Sequence, residues 1–154
     1  MRWSGFALAA VLLAACSSGP VRRVSEPSAR IQQLTVRADG SWSADLRIEN
    51  FSSIPMRFDS ARFDLEVEDH VAGVLQASPA LLVGPESADV IAVTLQPDAA
   101  AKFAVAQALA AGRSVDYSLT GTLTATPDEG RQRVFEVEHG SALSPAPGLP
   151  GVMR

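Results

Sequence analysis

Cysteine is almost missing from this chain: Cys16 is the single one among 154 residues. No intramolecular disulfide is therefore possible, and a thiolate zinc site of several cysteines is excluded. Histidine occurs only at His70 and His139, neither in a ligand-like spacing with carboxylates or thiols. A zinc site needs three or four ligands, so no metal is expected. Of the 13 basic residues only Lys102 is lysine, against 17 acids and a net charge of −4. An acidic chain without a basic patch gains nothing from phosphate backbones, so nucleic acid is not an expected partner. No Gly-x-Ser-x-Gly elbow and no phosphate-binding glycine loop occurs. Nucleophilic catalysis needs a serine or cysteine activated by a base, and no such set is legible. The expectation is a non-enzymatic protein with no catalytic residue, no cofactor and no evident small-molecule substrate. No apolar run reaches the roughly twenty residues that cross a bilayer.

The longest apolar run, Phe6 to Ala15, is ten residues and follows the positive Met1-Arg2 start. That is the length of a signal-peptide h-region. It ends in Leu13-Ala14-Ala15-Cys16, which fits the bacterial lipobox. Small side chains at 14 and 15 admit a peptidase to the backbone, Leu13 fills an apolar subsite, and Cys16 supplies the nucleophile for a thioether-linked diacylglycerol. The alternative is an ordinary secretory cut beside an unrelated cysteine. The lack of any second cysteine favours lipidation, because an exported protein rarely keeps an unpaired thiol. Cleavage between Ala15 and Cys16 would remove residues 1–15 and leave 139, one charge more negative for the loss of Arg2. Acyl chains on Cys16 make a membrane the expected partner, each buried methylene adding roughly 0.8 kcal/mol of affinity. In the Gram-negative sorting rule an aspartate after the cysteine retains a lipoprotein in the inner membrane. Ser17 and Ser18 follow here, so a periplasm-facing place on the outer membrane is expected.

Residues 16–28, with serine, glycine, proline and two arginines, read as a flexible tether. From Ile31 the pattern has period two. Leu34, Val36 and Ala38 alternate with polar residues, Asp39-Gly40 signals a hairpin turn, and Trp42, Ala44, Leu46 and Ile48 follow. After the turn formers of residues 50–55, Phe63, Leu65 and Val67 alternate again with Asp64, Glu66 and Glu68. That acidic stripe reads as a solvated outer face, since a straight strand spreads carboxylates roughly 6–7 Å apart and calcium wraps six to eight oxygens. Short apolar stretches at 71–75, 79–83 and 91–95 suggest further strands. Pro97 to Ala111 has Pro97 at a first helical position, Asp98 in the first turn and Gly112 as a cap. Phe103, Ala106, Leu109 and Ala110 then form the packing face. Strands from Val115 and around Phe135 and Val137 close the domain, with Trp42 and Tyr117 on inward registers. The expected fold is an all-β antiparallel sandwich of about seven strands with one short helix at 97–111, over residues 29–140. The proline-rich residues 141–154 read as a disordered tail.

The order Asn50-Phe51-Ser52-Ser53, then Ile54-Pro55-Met56, then a strand from Ala61 to Val67 and the small-residue step Val71-Ala72-Gly73 resembles the late-embryogenesis-abundant group 2 proteins, which carry the water-stress-and-hypersensitive-response (WHy) domain. The likeness runs from about Pro27 to His139; Phe51 stands where proline is usual. It implies an immunoglobulin- or fibronectin-III-like sandwich and a protective role in desiccation or water stress of the cell envelope. The alternative is a periplasmic adaptor docking an envelope protein. The one position to mark is Asn50, expected to shape its turn through its side chain.

Overall fold

The computed structural model describes Gly19 and residues 21–154; Ala15 and Cys16, the cleavage and lipid-attachment positions, lie outside the described residues. Alternating polar and apolar residues form nine strands among those described: β1 (Ser28–Val36), β2 (Trp42–Asn50), β3 (Met56–Val67), β4 (His70–Ala77), β5 (Leu81–Val83), β6 (Ser87–Leu95), β7 (Val115–Pro127), β8 (Arg133–Leu143) and β9 (Val152–Met153). One helix, α1 (Ala99–Ala111), joins β6 to β7. The strands make two antiparallel sheets. One has the order β6-β2-β1-β9; the other runs β4-β3-β7-β8, with β5 pairing β3 beyond β4. The fold is the all-β sandwich that the alternation predicts.

Burial follows the two-residue period. Along β2, Trp42, Ala44, Leu46 and Ile48 are fully buried, as are Phe58, Phe63 and Leu65 of β3 and Leu119 and Leu123 of β7. Each large apolar side chain so removed from water contributes about 1.5–3 kcal/mol. The intersheet layer is also stitched by a hydrogen bond. β1 shifts register between Ile31 and Gln33, and β9 covers only Leu34 and Thr35 on its other edge. The Ile31 backbone is thus left facing away from β2, and the Tyr117 hydroxyl from the opposite sheet reaches it. That hydroxyl accepts from the Ile31 N–H at 3.1 Å and donates to its carbonyl at 3.4 Å. Burial raises the Tyr117 pKa above its ordinary value, so the phenol stays protonated and serves both roles.

All strands run between two opposite ends. One holds the entering segment 21–27 and the connections at 50–55, 84–86 and 127–132; the other holds the Asp39-Gly40 turn, the Glu68-Asp69 turn, α1 and the C-terminal residues. Asp39 shapes its hairpin by accepting from the Ser41 N–H at 2.9 Å, with Gly40 at φ 84°.

Three expectations need correction. Residues 141–154 are not a disordered tail. β8 continues to Leu143, and the chain folds back so that β9 pairs with β1, burying Leu143 and Met153. Ser144 and Arg154 exchange backbone bonds, and the Val36 N–H donates to Gly151 O at 2.8 Å. Pro147 and Pro150 serve as turn formers inside this hairpin while Pro145 bridges Met153, with Gly148 and Gly151 at φ 75° and 74°, conformations that glycine adopts without a Cβ penalty. The helix also differs. It starts at Ala99 with Asp98 as N-cap and no side-chain cap bond, and its buried face is Ala101, Val105 and Ala108. At 100° per residue Phe103 lies about 200° from Ala101, so it is exposed while small side chains let α1 approach β4. Lastly, the tether is not free from residue 16 to 28; from Val21 it is bonded to the sandwich.

Gly121 sits where β7 crosses Phe63 of β3, and a Cβ there would overlap the Arg62 carbonyl oxygen. Both are backbone groups of central strands and have little room to yield. Gly121→Ala is expected to lower stability by about 1–3 kcal/mol, as overpacking does. Urea titration of the two proteins checks this; an unchanged midpoint would contradict it.

Candidate functional site

Asn50 ends β2 and is buried, at 1% exposure, beside the equally buried Ser52. Its amide is the hub of one end of the sandwich. Nδ2 donates to Ile54 O at 2.9 Å and Gly84 O at 2.9 Å, with Val83 O at 3.2 Å sharing a proton. Oδ1 accepts from the Ser52 N–H at 2.9 Å. One side chain therefore closes its own turn and fastens it to the β5–β6 connection. The sequence reading of Asn50 as a turn-shaping Asx residue anticipates the local bond; the reach to residues 83 and 84 depends on tertiary placement.

Two neighbours carry the knot outward. Ser52 Oγ accepts from the Ser25 N–H at 2.9 Å and lies 3.1 Å from Met56 Sδ. Ser53 Oγ accepts from the Arg23 N–H at 2.8 Å and donates to Val21 O at 2.7 Å, while the Ser53 N–H donates to Arg23 O at 3.0 Å. The entering segment is thus laid along the loop like a short added strand. Sequence reasoning took these serines for generic turn formers; nothing in their spacing distinguishes a docking serine from a solvated one.

Beside the knot is an open cleft of about 480 Å³ lined by Arg23, Arg47, Glu49, Phe51, Glu86 and Ser87 among others. Its charges are mutually engaged. Glu49 accepts from Arg47 at 3.0 Å and from Ser28 at 3.1 Å, and Arg23 stands 3.6 Å from Glu86. The Arg47 bond, opposed by burial and helped by Ser28, holds Glu49 below the ordinary carboxylate range. An acid kept ionised in this way is a weaker proton acceptor, and its charge is already met by Arg47.

A second acid at the same end, Asp59, occupies a bulge where β3 slips between Phe58 and Ser60. The bulge turns its carboxylate toward β7. Oδ2 accepts from Thr126 at 2.7 Å and Gln132 at 3.1 Å, and Oδ1 from Arg57 at 2.7 Å. These bonds, Thr126 foremost, bring its pKa down from 3.8 to about 2. Like Ser52, Asp59 was not singled out from sequence, because a bulge leaves no periodic signature.

The remaining sequence candidates stay apart. Asp64 and Glu66 are exposed on β3, while Glu68 lies in a turn at φ 50° and pairs with Arg113 at 3.1 Å. His70 is on β4 and His139 on β8, at opposite edges of one sheet. Among the described residues no three His, Cys, Asp or Glu side chains gather as a metal-binding group. No helix among them is long and apolar enough to cross a membrane.

Two predictions follow from the bonds at this end. Asn50→Asp keeps the acceptor for Ser52 but removes both donors and sets a negative charge against three carbonyls. Its loss should exceed the roughly 1–3 kcal/mol of one unsatisfied buried group, and should shrink on acidification as the carboxyl protonates. Thermal melts of Asn50→Asp and Asn50→Ala across pH compare them; equal, pH-independent losses would contradict the bonding described. For Asp59 the folded pKa is the depressed one, so its stabilisation is complete above about pH 4 and fades as pH falls toward 2. Asp59→Asn should be less stable at neutral pH and lose less on acidification through that window. Denaturant midpoints at pH 7, 4 and 2 measure the slopes, and parallel slopes for the two proteins would refute the assignment.

Residues 45–138, more than half the chain, match the late embryogenesis abundant protein family. They run from within β2 to within β8 and include Asn50, Ser52, Ser53 and Asp59, but not the docked residues 21–25. No curated protein sequence matches. Solved structures similar to this chain include a Northeast Structural Genomics Consortium target (TM-score 0.46, 10% identity, covering 80% of this chain and 89% of that one). A protein from Archaeoglobus fulgidus has TM-score 0.41 and 14% identity, with 80% and 98% covered, and a solution structure from Arabidopsis thaliana has 0.44 and 13%, with 91% and 93%. On the match over residues 45–138, the chain belongs to the late embryogenesis abundant protein family.

Proposed function

We propose that this protein is a lipid-anchored, non-enzymatic member of the family with a WHy-like domain, which protects the cell envelope during desiccation or other water stress. Family membership points to a stress-related role, and that match is the observation that carries the reading. The chemistry of the fold agrees with it. Asn50, Ser52, Ser53, Asp59 and Tyr117 are all committed to holding backbone and sheets together, an arrangement that resists loss of water by satisfying polar groups internally. The address comes from Leu13-Ala14-Ala15-Cys16: acyl chains on Cys16 hold the sandwich at the periplasmic face of the outer membrane of a Gram-negative cell. Protection is exerted through surface contacts with envelope proteins or lipids.

A second reading, an adaptor for one envelope protein, draws on β8. This strand of eleven residues is the outer strand of its sheet, with Val134 65% exposed. Such an edge accepts an added strand. Crosslinking in intact cells separates the two, a single stoichiometric partner favouring the adaptor.

Growth with a clickable fatty acid should label the protein, and Cys16→Ser should abolish the label. A deletion strain should survive drying and osmotic upshift less well than its parent. No label in the parent would remove the anchor from this account, and unimpaired survival would remove the protective role.

A further inference from the structure

The lipid on Cys16, if attached as proposed above, does more than localise the domain. Val21 is already fixed to the sandwich, its carbonyl accepting from Ser53 Oγ at 2.7 Å, with Arg23 held at both its N–H and its carbonyl. Only five residue steps separate Cys16 from Val21. Fully extended they span at most about 18 Å. β3 alone has twelve residues and runs about 40 Å from one end of the sandwich to the other. The end bearing α1 and the C-terminal hairpin therefore cannot reach the bilayer first while Val21 stays docked.

A side-on pose is within reach of the leash but is disfavoured by the sheet faces. The outward residues of β2 include Asp45, Arg47 and Glu49, and those of β3 include Arg62, Asp64 and Glu66, all of which lose hydration against lipid. The docked end instead presents Val21 and Phe51, 78% and 47% exposed. Arg22 pairs with Glu129 at 3.1 Å and Arg23 with Glu86 at 3.6 Å, and exposed Glu26, Asp128 and Arg131 share this end, so it is a mixed surface carrying two exposed apolar side chains and not a basic patch. Two exposed side chains bind a bilayer weakly by themselves. A short leash raises their effective concentration at the surface until a weak contact is populated.

We propose that the Asn50–Pro55 end of the sandwich faces the bilayer, with Val21 and Phe51 at the headgroup layer and α1 turned away from it. The occupant of this surface is the lipid that carries the anchor. Phe103 on α1, 64% exposed, is a matched apolar control at the far end.

The test uses the full lipidated chain in vesicles of phosphatidylethanolamine and phosphatidylglycerol containing a headgroup spin-labelled lipid. Phe51→Cys and Phe103→Cys are each labelled with an environment-sensitive fluorophore, the acylated Cys16 sulfur being unreactive. The probe at position 51 should be blue-shifted and quenched several-fold more than that at 103, with little dependence on salt. Inserting about twelve Gly/Ser residues after Ser18 lengthens the leash without touching the fold, and should bring the two signals together. Equal quenching in the parent, stronger quenching at 103, or no effect of the insertion would overturn the orientation. Mass measurement of Cys16 keeps the two ideas separate. An acylated protein with equal quenching refutes the orientation alone, whereas an unacylated Cys16 removes the anchor on which it rests.

Discussion

One buried amide governs an entire end of this protein. The Asn50 side chain offers two donor protons and one acceptor oxygen, and all are taken up by backbone groups of two separate stretches, residues 52–54 and 83–84. Neither carboxylate nor hydrophobe of that size could serve, since the first lacks donors and the second leaves buried backbone groups unpaired. By shaping the loop, Asn50 places Ser52 and Ser53 where they receive the entering chain. The docking of residues 21–25 is thus a consequence of a bond network centred some 25 residues later in sequence.

A second polar contact between the sheets works on the same principle. An antiparallel pair leaves alternate residues facing away from their partner strand, and β1 has only the two-residue β9 beyond it. The Tyr117 hydroxyl supplies the missing partner for Ile31. Edge strands expose such groups unless something covers them; here a tyrosine and a folded-back C-terminal hairpin do so on one edge, while β8 stays open on the other sheet. The region that places the chain in the late embryogenesis abundant family holds Asn50 with its partners at 52, 54, 83 and 84, while Ile31, the entering segment and the C-terminal hairpin lie outside it.

Period-two alternation made most of the strands legible, because one face of each is core and the other solvent, and side-chain period reports that directly. Asp39-Gly40 located its hairpin, and Gly112 the helix end, through backbone conformations that few other residues adopt. Asn50 was legible as a turn residue and not as a hub, since its partners at 83 and 84 are near only in space. The helix face is not legible, because Phe103 outweighs alanine on any hydrophobic scale while the contact with β4 selects small side chains for close approach. Residues 141–154 are illegible for a related reason. Prolines suggest disorder when counted, but Leu143 and Met153 anchor a hairpin in which Pro147 and Pro150 lie at turns and Pro145 bridges Met153. Strand order was illegible throughout, being set by which apolar faces meet and not by any local signal.

The orientation proposed for the anchored domain requires that its entering chain be part of the fold and not a loose string, and that follows only if the Asn50 loop captures it. Amide hydrogen exchange on the folded protein reads this most directly. The N–H groups of Arg23 and Ser25, bonded at 2.8 and 2.9 Å to Ser53 and Ser52, are predicted to be protected together with Ser52 itself, and to lose protection in Asn50→Ala before the central strands do. Exchange of Arg23 and Ser25 at unfolded-chain rates in the unaltered protein, beside protected β3 and β7, would contradict the account.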